Sequence, residues 1–175
     1  MIPIEGPFTA FNEALGGVFA GIAPDVTEEN IQARCRGLIL MAISNKFGPI
    51  VLATGNKSEM SVGYATLYGD MAGGFAPLKD VPKLLVYELS KWRNRDGEVI
   101  PNRVIVRPPT AELAPDQADT DSLPPYEILD AILEDYIENE LTPAQIAAKG
   151  FEPETVERIA RTVDRNEYIS KPKAF

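Results

Sequence analysis

The sequence contains no histidine and a single cysteine, Cys35. Histidine is the usual general base of enzymes that work near neutral pH and the commonest zinc ligand. Its absence therefore excludes a Ser-His-Asp triad, a Cys-His pair and a histidine-based metal site within this chain. A lone cysteine cannot form an internal disulfide, and nothing in the sequence indicates an oxidising compartment. Any chemistry must use carboxylates, lysine, arginine, hydroxyls, backbone amides or a bound metal.

Long hydrophobic runs and an excess of positive charge are missing as well. No apolar stretch approaches the roughly 18 residues of a membrane span, and the start MIPIEGPFTAF lacks the basic and apolar regions of a signal peptide. The chain has 17 lysines and arginines against 26 acidic residues, and its net charge of −9 repels nucleic acids and anionic membranes. We therefore expect a cytoplasmic protein with no nucleic-acid partner and no membrane partner.

The hydrophobic pattern of the 175 residues, about one domain in length, predicts mostly helices. Cys35 lies on the apolar face of the second helix with Ile31 and Leu38, so we predict a core thiol rather than a reactive one. Thr27 and Thr142 are the expected N-caps of two helices. The predicted helices cover 7–17, 28–46, a start at 57, 81–92, 126–137, a start at 143, and 153–166.

Only three segments have the pattern of strands: IVLAT at 50–54, RVIV at 103–106 and MIPI at 1–4. A buried parallel strand needs neighbours on both sides, so this small number predicts part of an α/β domain whose remaining strands lie elsewhere. The segment 108–125, PPTAELAPDQADTDSLPP, is rich in proline and acidic residues and is predicted to be a long loop. Loops of that length are usually functional or disordered.

The stretch VLATGNKSE, residues 51–59, runs from an apolar segment into a glycine, a lysine and a serine, as a phosphate-binding loop does. It does not match the P-loop pattern G-x-x-x-x-G-K-[ST], because Asn56 and not glycine precedes Lys57. A strand that ends in a Thr-Gly turn and enters a helix still presents free backbone N–H groups and a positive helix end to an anion. The same turn is also a common structural junction, so both interpretations stay open.

Charged residues follow this turn at Glu59, Asp70, Lys79 and Lys83. Glu59 lies where a Mg²⁺ that bridges phosphates would need an oxygen ligand, although a carboxylate in a first helical turn also serves as a cap. The glycines of MAGG after Asp70 would let the chain approach a ligand closely. Lysine in the first turn of a helix opposes the helix dipole, so Lys79 and Lys83 indicate either a bound anion or solvated surface charges.

The last two helices, TPAQIAAKG and PETVERIARTVDR, allow a helix-turn-helix interpretation with Arg158, Arg161 and Arg165 on one face. Glu157 and Asp164 are interleaved among these arginines, and the chain as a whole is acidic. Surface ion pairs along the helix are therefore the better explanation, and DNA binding is not expected.

Residues 55–83, GNKSEMSVGYATLYGDMAGGFAPLKDVPK, closely resemble the synthetase domain of glutamine-dependent NAD synthetases. TEENIQARCRGLILMAISN, PPTAELAPDQADTDSLPPYEILD and VDRNEY resemble the same family in the same order. The resemblance implies α/β architecture with a partial Rossmann-like parallel sheet of the adenine nucleotide alpha hydrolase type. Residues 1–175 would be the C-terminal portion of the synthetase domain. The family's S-G-G-x-D-S loop for ATP and its glutaminase domain, both expected upstream, are not in the sequence, which would explain the shortage of strands.

The resemblance implies ATP-dependent amidation of deamido-NAD to NAD. ATP adenylates the nicotinate carboxylate, because a free carboxylate has no good leaving group, and ammonia from glutamine then displaces AMP. Mg²⁺ and cationic side chains would neutralise the charge on the phosphates. The resemblance also implies a homodimer or a higher homo-oligomer, and this portion alone is expected to be inactive.

The same resemblance assigns roles to individual residues. Thr54, Lys83 and Thr110 correspond to ATP contacts. Glu59 corresponds to a glutamate that serves both Mg²⁺ and deamido-NAD. Asp70 corresponds to the aspartate near the reacting carboxylate and Lys83 to the phosphate-contacting lysine, and these two are the catalytic candidates.

Asn30 and Arg34 correspond to deamido-NAD-binding positions on a dimer-interface helix, and Asp70 is expected to contact the same dinucleotide. After NEY the family continues with Lys-Arg-Arg and a substrate-binding lysine, whereas ISKPKAF follows here, so no lysine is assigned in this segment. The competing hypothesis is a non-catalytic dinucleotide-binding or dimerisation module, built on the apolar helix at 31–42.

Overall fold

A computed structural model describes the protein over residues 1–113 and 117–170, with side chains up to Glu167. The chain divides into two compact units. The first consists mainly of Met1–Gly55 and Ala65–Pro77, and the second of Asn56–Tyr64, Leu78–Glu112 and the described residues from 117 onward. The helices are α1 Glu5–Leu15, α2 Val26–Phe47, α3 Lys57–Ser61, α4 Lys83–Arg93, α5 Asn102–Val106, α6 Tyr126–Leu133, α7 Pro143–Ala147 and α8 Pro153–Ser170.

In the first unit, α1 packs against the long helix α2. The N-cap of α2 is Asp25, whose carboxylate accepts a hydrogen bond from the Thr27 N–H at 2.7 Å. This hydrogen bond holds the pKa of Asp25 below its usual range. The predicted N-cap, Thr27, is therefore wrong by two positions, because the extended residue that precedes the helix is Asp25. Gly48 closes α2 with φ of 87°, a left-handed conformation that suits glycine.

The middle of α2 lies directly against backbone. A Cβ atom added at Gly37 would lie 2.8 Å from the carbonyl oxygen of Gly69 and 2.9 Å from that of Tyr68, which is closer than side chains pack. Cys35, two residues earlier, is 2% exposed, so the predicted core thiol is confirmed as buried. The glycine therefore allows α2 to contact the chain just before Asp70.

The predicted strands are largely wrong within the described residues. Segment 50–54 contributes one parallel bridge, between Leu52 and Phe75, in which the Ala53 N–H donates to the Phe75 carbonyl at 2.9 Å. RVIV is not a strand but forms α5, which follows Pro101. Neither MIPI nor any other segment that the structure describes forms a strand. The partial parallel sheet is thus not confirmed, because 50–54 has only this short partner in the described chain.

In the second unit, α3, α6, α7 and α8 surround one hydrophobic core. Leu129, Ile132, Ile146 and Val156 are completely buried there, and each such side chain contributes about 1.5–3 kcal/mol through its removal from water. Thr142 caps α7 as predicted. A π-helical turn, Glu134–Glu138, continues α6, and a 3-10 turn occupies Asp119–Asp121. No helix in the described part of the chain is both long enough and apolar enough to cross a membrane.

The end of α8 is fastened to the residues that follow α3. Gly63 has φ of +71°, and a Cβ atom added there would lie 2.3 Å from the side-chain Cγ of Asn166. The Asn166 amide donates to the Val62 carbonyl at 3.1 Å. Asn166 belongs to the stretch VDRNEY, so within the second unit this stretch contacts the residues that directly follow α3.

Candidate active site

Glu59 and Lys83, both in the second unit, form an ion pair. The Lys83 Nζ lies 2.7 Å from the Glu59 Oε1, and the two side chains are only 17% and 19% exposed. Glu59 also closes the start of α3, because its Oε2 accepts the Asn56 N–H at 3.2 Å while the Asn56 side chain accepts the Glu59 N–H at 3.0 Å. The capping role considered for Glu59 is therefore real, and its second oxygen remains available for Lys83.

Lys83 lies near Tyr126, which is hydrogen-bonded to Asp119, and the sequence did not single out either residue for function. The Lys83 Nζ lies 5.4 Å from the centre of the Tyr126 ring, and the Tyr126 hydroxyl donates to the Asp119 Oδ2 at 2.7 Å. Burial, and then the hydrogen bond and charge of Asp119, raise the pKa of Tyr126 far above its usual value, so its hydroxyl stays protonated. Asp119 is 3% exposed, and no described residue donates to its Oδ1. The predicted loop 108–125 includes Asp119, whereas Tyr126 follows it as the first residue of α6.

Tyr126→Phe should lower the free energy of unfolding by about 1–3 kcal/mol, because it leaves the buried Asp119 carboxylate without its hydroxyl donor. The measurement is urea unfolding of the 175-residue chain. Tyr136→Phe is the matched control, since it removes a similar hydroxyl–carboxylate bond to the exposed Asp164 and should change stability by less than about 0.5 kcal/mol. Equal losses of stability in the two variants would contradict the larger cost that we expect when the buried Asp119 carboxylate loses its hydroxyl donor.

Thr110 is also in the second unit and is half-buried. Its hydroxyl accepts the Glu112 N–H at 3.1 Å, which is a local turn contact. The neighbouring Pro109 carbonyl accepts the Asp119 N–H at 3.0 Å, so the loop that carries Thr110 is tied to Asp119. No contact recorded among the described residues joins Thr110 to Lys83 or Glu59, and its ATP role remains a prediction.

In the first unit, Asn30 and Asp70 are linked through one threonine. The Thr66 hydroxyl donates to the Asn30 side-chain oxygen at 2.8 Å, and the Thr66 N–H donates to the Asp70 carboxylate at 2.6 Å. Thr66 is 6% exposed and was not predicted from the sequence. The structure therefore brings two of the predicted dinucleotide residues together, and it shows that Asp70 is held in place by a backbone N–H group.

A cavity of about 630 Å³ lies in the same unit, within the size range of small-molecule sites. Arg34 is the one charged residue among its lining residues, and the Arg34 Nε donates to the Leu67 carbonyl at 3.2 Å. The rest of the lining is largely apolar and includes Cys35, Met41 and Tyr68. Thr54 also belongs to this unit and is exposed, as an anion contact would require, but nothing in the structure tests its role.

A magnesium site made by the protein alone is not found in the described residues. No group of three acidic, cysteine or histidine side chains is close enough there to hold a metal ion. Both Glu59 oxygens accept hydrogen bonds from the chain itself. Glu59 therefore fits Mg²⁺ only as one ligand beside the phosphates of a nucleotide, which is a common arrangement for this ion. Lys171 and Lys173 lie outside the described residues.

Comparison with known proteins identifies the family. The profile of a family described as NAD synthase matches residues 1–173. The chain belongs to the NAD synthase family. The Glutamine-dependent NAD(+) synthetase of Thermotoga maritima is 57% identical over 177 aligned positions, which cover 100% of this chain and 31% of the relative. The Acinetobacter baylyi protein of the same name is 61% identical over 168 positions, 95% of this chain and 31% of the relative.

Two solved structures from this comparison are similar in fold. The glutamine-dependent NAD+ synthetase of Acinetobacter baumannii, in complex with ADP, is 52% identical with a TM-score of 0.59, covering 98% of this chain and 30% of that one. The NMN synthetase of Francisella tularensis is 26% identical with a TM-score of 0.78, covering 99% and 64%. The resemblance to NAD synthetases is thus confirmed, although the chain spans only about 31% of the length of the curated relatives.

Proposed function

We propose that this chain is part of a glutamine-dependent NAD synthetase, in which residues 1–175 form the C-terminal portion of the synthetase domain. The proposal rests on family membership together with one observation, the half-buried ion pair between Glu59 and Lys83. Both residues lie at helix starts, at the positions that the resemblance assigns to nucleotide and metal. The ATP loop and the glutaminase domain would come from the rest of such an enzyme.

In the proposed reaction, the nicotinate carboxylate of deamido-NAD attacks the α-phosphorus of ATP, and pyrophosphate leaves. Ammonia then attacks the carbonyl carbon of the acyl adenylate, loses a proton, and AMP leaves with the electrons of the C–O bond. Lys83 would stabilise negative charge on the phosphates during the first step, because its side chain is largely buried and its ammonium group is already oriented by Glu59. ATP would arrive with Mg²⁺, for which Glu59 offers one oxygen ligand.

The nucleotide assignment is supported by the Acinetobacter baumannii relative, which was solved with ADP. We assign Thr54, Thr110 and Lys83 to ATP because they occupy the positions that the resemblance gives to ATP contacts. For deamido-NAD, we assign Glu59 and the first-unit residues Asn30, Arg34 and Asp70. Support for the first-unit assignment comes from the bond network through Thr66 and from the guanidinium group of Arg34, which could pair with a phosphate.

A homodimer is part of the proposal. Leu40 and Phe47, seven positions apart on one face of α2, are 48% and 77% exposed, which leaves apolar surface that a second copy would cover. Sedimentation of the isolated chain should show a dimer, and a monomer at all concentrations would count against it.

The sharpest test of function is a chimera in which this chain replaces the matching segment of the Acinetobacter baylyi relative, to which it is 61% identical. We expect the chimera to form NAD from deamido-NAD, ATP, Mg²⁺ and either glutamine or ammonium. The unmodified relative is the control. A folded chimera that makes no NAD under conditions in which the control is active would refute the proposal.

The second candidate is a non-catalytic dinucleotide-binding module, which the cavity beside Arg34 favours. Calorimetry of the isolated chain with deamido-NAD separates the two. Binding by the chain, combined with an inactive but folded chimera, would support the module and not the enzyme.

A further inference from the structure

The start of α4 is held by residues that are distant in sequence. The residue before the helix, Pro82, makes no side-chain cap, and the first turn contains no acidic residue. The Lys83 N–H donates instead to the Ser58 hydroxyl at 2.9 Å, and the Leu84 N–H donates to the Asp130 Oδ2 at 2.9 Å. Two of the orphan donors of this helix start are thus satisfied by α3 and α6.

Ser58 and Asp130 are also joined to each other. The Ser58 hydroxyl donates to the Asp130 Oδ1 at 2.5 Å, so the hydroxyl both accepts from Lys83 and donates to Asp130. Each carboxylate oxygen of Asp130 therefore accepts one hydrogen bond. Ser58 is 1% exposed, which shields this connection from water.

The direction of these hydrogen bonds restricts the residue types that can serve here. The Ser58 oxygen accepts the Lys83 N–H and its proton goes to one oxygen of Asp130, while the Leu84 N–H donates to the other oxygen. An asparagine at 130 has only one acceptor oxygen, so either the Leu84 N–H or the Ser58 hydroxyl proton would lose its acceptor. A carboxylate, with two acceptor oxygens, satisfies both neighbours.

We propose that Ser58 and Asp130 are positioning residues, which fix the backbone of Lys83 so that its ammonium group reaches Glu59 and the nucleotide. Ser58 directly precedes Glu59, so this polar bridge holds both members of the ion pair. Neither residue touches substrate in this arrangement. The inference rests on the proposed function, because it explains how Lys83 is oriented for the reaction proposed there.

The test is a double-mutant cycle on the affinity of the chimera for ATP, measured by calorimetry. Ser58→Ala and Asp130→Asn should each weaken ATP binding ~10-fold by displacing Lys83. In a Lys83→Met background, the same substitutions should change the affinity less than ~2-fold, because the lysine that they position is gone. The matched control is Glu138→Gln, which removes the ion pair that Lys57 makes from α3 and leaves the start of α4 intact.

The outcomes separate the two proposals. Equal weakening in the lysine and methionine backgrounds would show a general structural role, and unchanged affinity in Ser58→Ala would remove the positioning role. Either result overturns the inference while the unsubstituted chimera still makes NAD. If Asp130→Asn does not fold, Ser58→Ala carries the test alone. An unsubstituted chimera that neither binds ATP nor makes NAD would instead refute the proposed function.

Discussion

Lys83→Met should lower the rate of NAD formation by the chimera about 100-fold or more. The Lys83 side chain is only 17% exposed and its Nζ lies 2.7 Å from the Glu59 Oε1, so it is held in one orientation before any nucleotide binds. A positive charge that is already oriented and shielded from water stabilises the negative charge of the transition state far more than a mobile surface lysine does. Steady-state kinetics with saturating deamido-NAD would measure the loss.

The control for this prediction is Lys91→Met, on the same helix. Lys91 is exposed, so its removal deletes the same charge at the far end of α4 and should leave the rate within about twofold. Glu59→Gln should also impair the reaction, because it releases Lys83 from its partner. A chimera that keeps its rate in Lys83→Met would remove the lysine from the proposed mechanism.

Gly37→Ala should destabilise the chain by about 2 kcal/mol or more. The added Cβ would lie 2.8 Å from the Gly69 carbonyl oxygen and 2.9 Å from the Tyr68 one, and backbone oxygens cannot rotate away as side chains do. The usual gain of about 1 kcal/mol from alanine in a helix reduces the net loss but does not reverse it. Because Gly69 precedes Asp70, the displacement should also disturb the Asp70 carboxylate.

Gly6→Ala supplies the matched control for that prediction. Gly6 is also helical, in α1, but a Cβ atom there meets nothing within 4 Å. This substitution should be neutral or stabilising, because only the helix propensity changes. Urea unfolding of both variants separates the effects, and equal stability of the two would mean that α2 can shift away from residues 68–69.

Local chemistry was sufficient to predict most helices of this chain. The Thr142-Pro143 pair started α7 where the sequence indicated, because a cap and a proline act within one turn. RVIV misled because β-branched residues favour strands only on average, whereas Pro101 begins a helical turn in which the Val104 N–H reaches the Pro101 carbonyl at 2.9 Å. Strand pairing depends on partners that a single segment cannot specify.

The candidate site was predictable only in part, for a related reason. The resemblance selected Glu59 and Lys83, but it did not indicate that they form an ion pair. Ser58 and Asp130 are 72 positions apart, and Thr66 meets Asn30 across 36 positions. Spacing along the chain carries no information about contacts of this range. Thr66 and Ser58 were therefore not predicted to take part in the site.

The contact between Gly63 and Asn166 has a consequence for how related chains can diverge. The two residues are tied through the Val62 carbonyl, 104 positions from Asn166, and Gly63 combines a positive φ with no room for a Cβ atom. A change at either position therefore alters the space that the other must fill. Among related sequences, we expect substitutions at these two positions to be correlated, so that a larger residue at 63 appears only with a smaller one at 166.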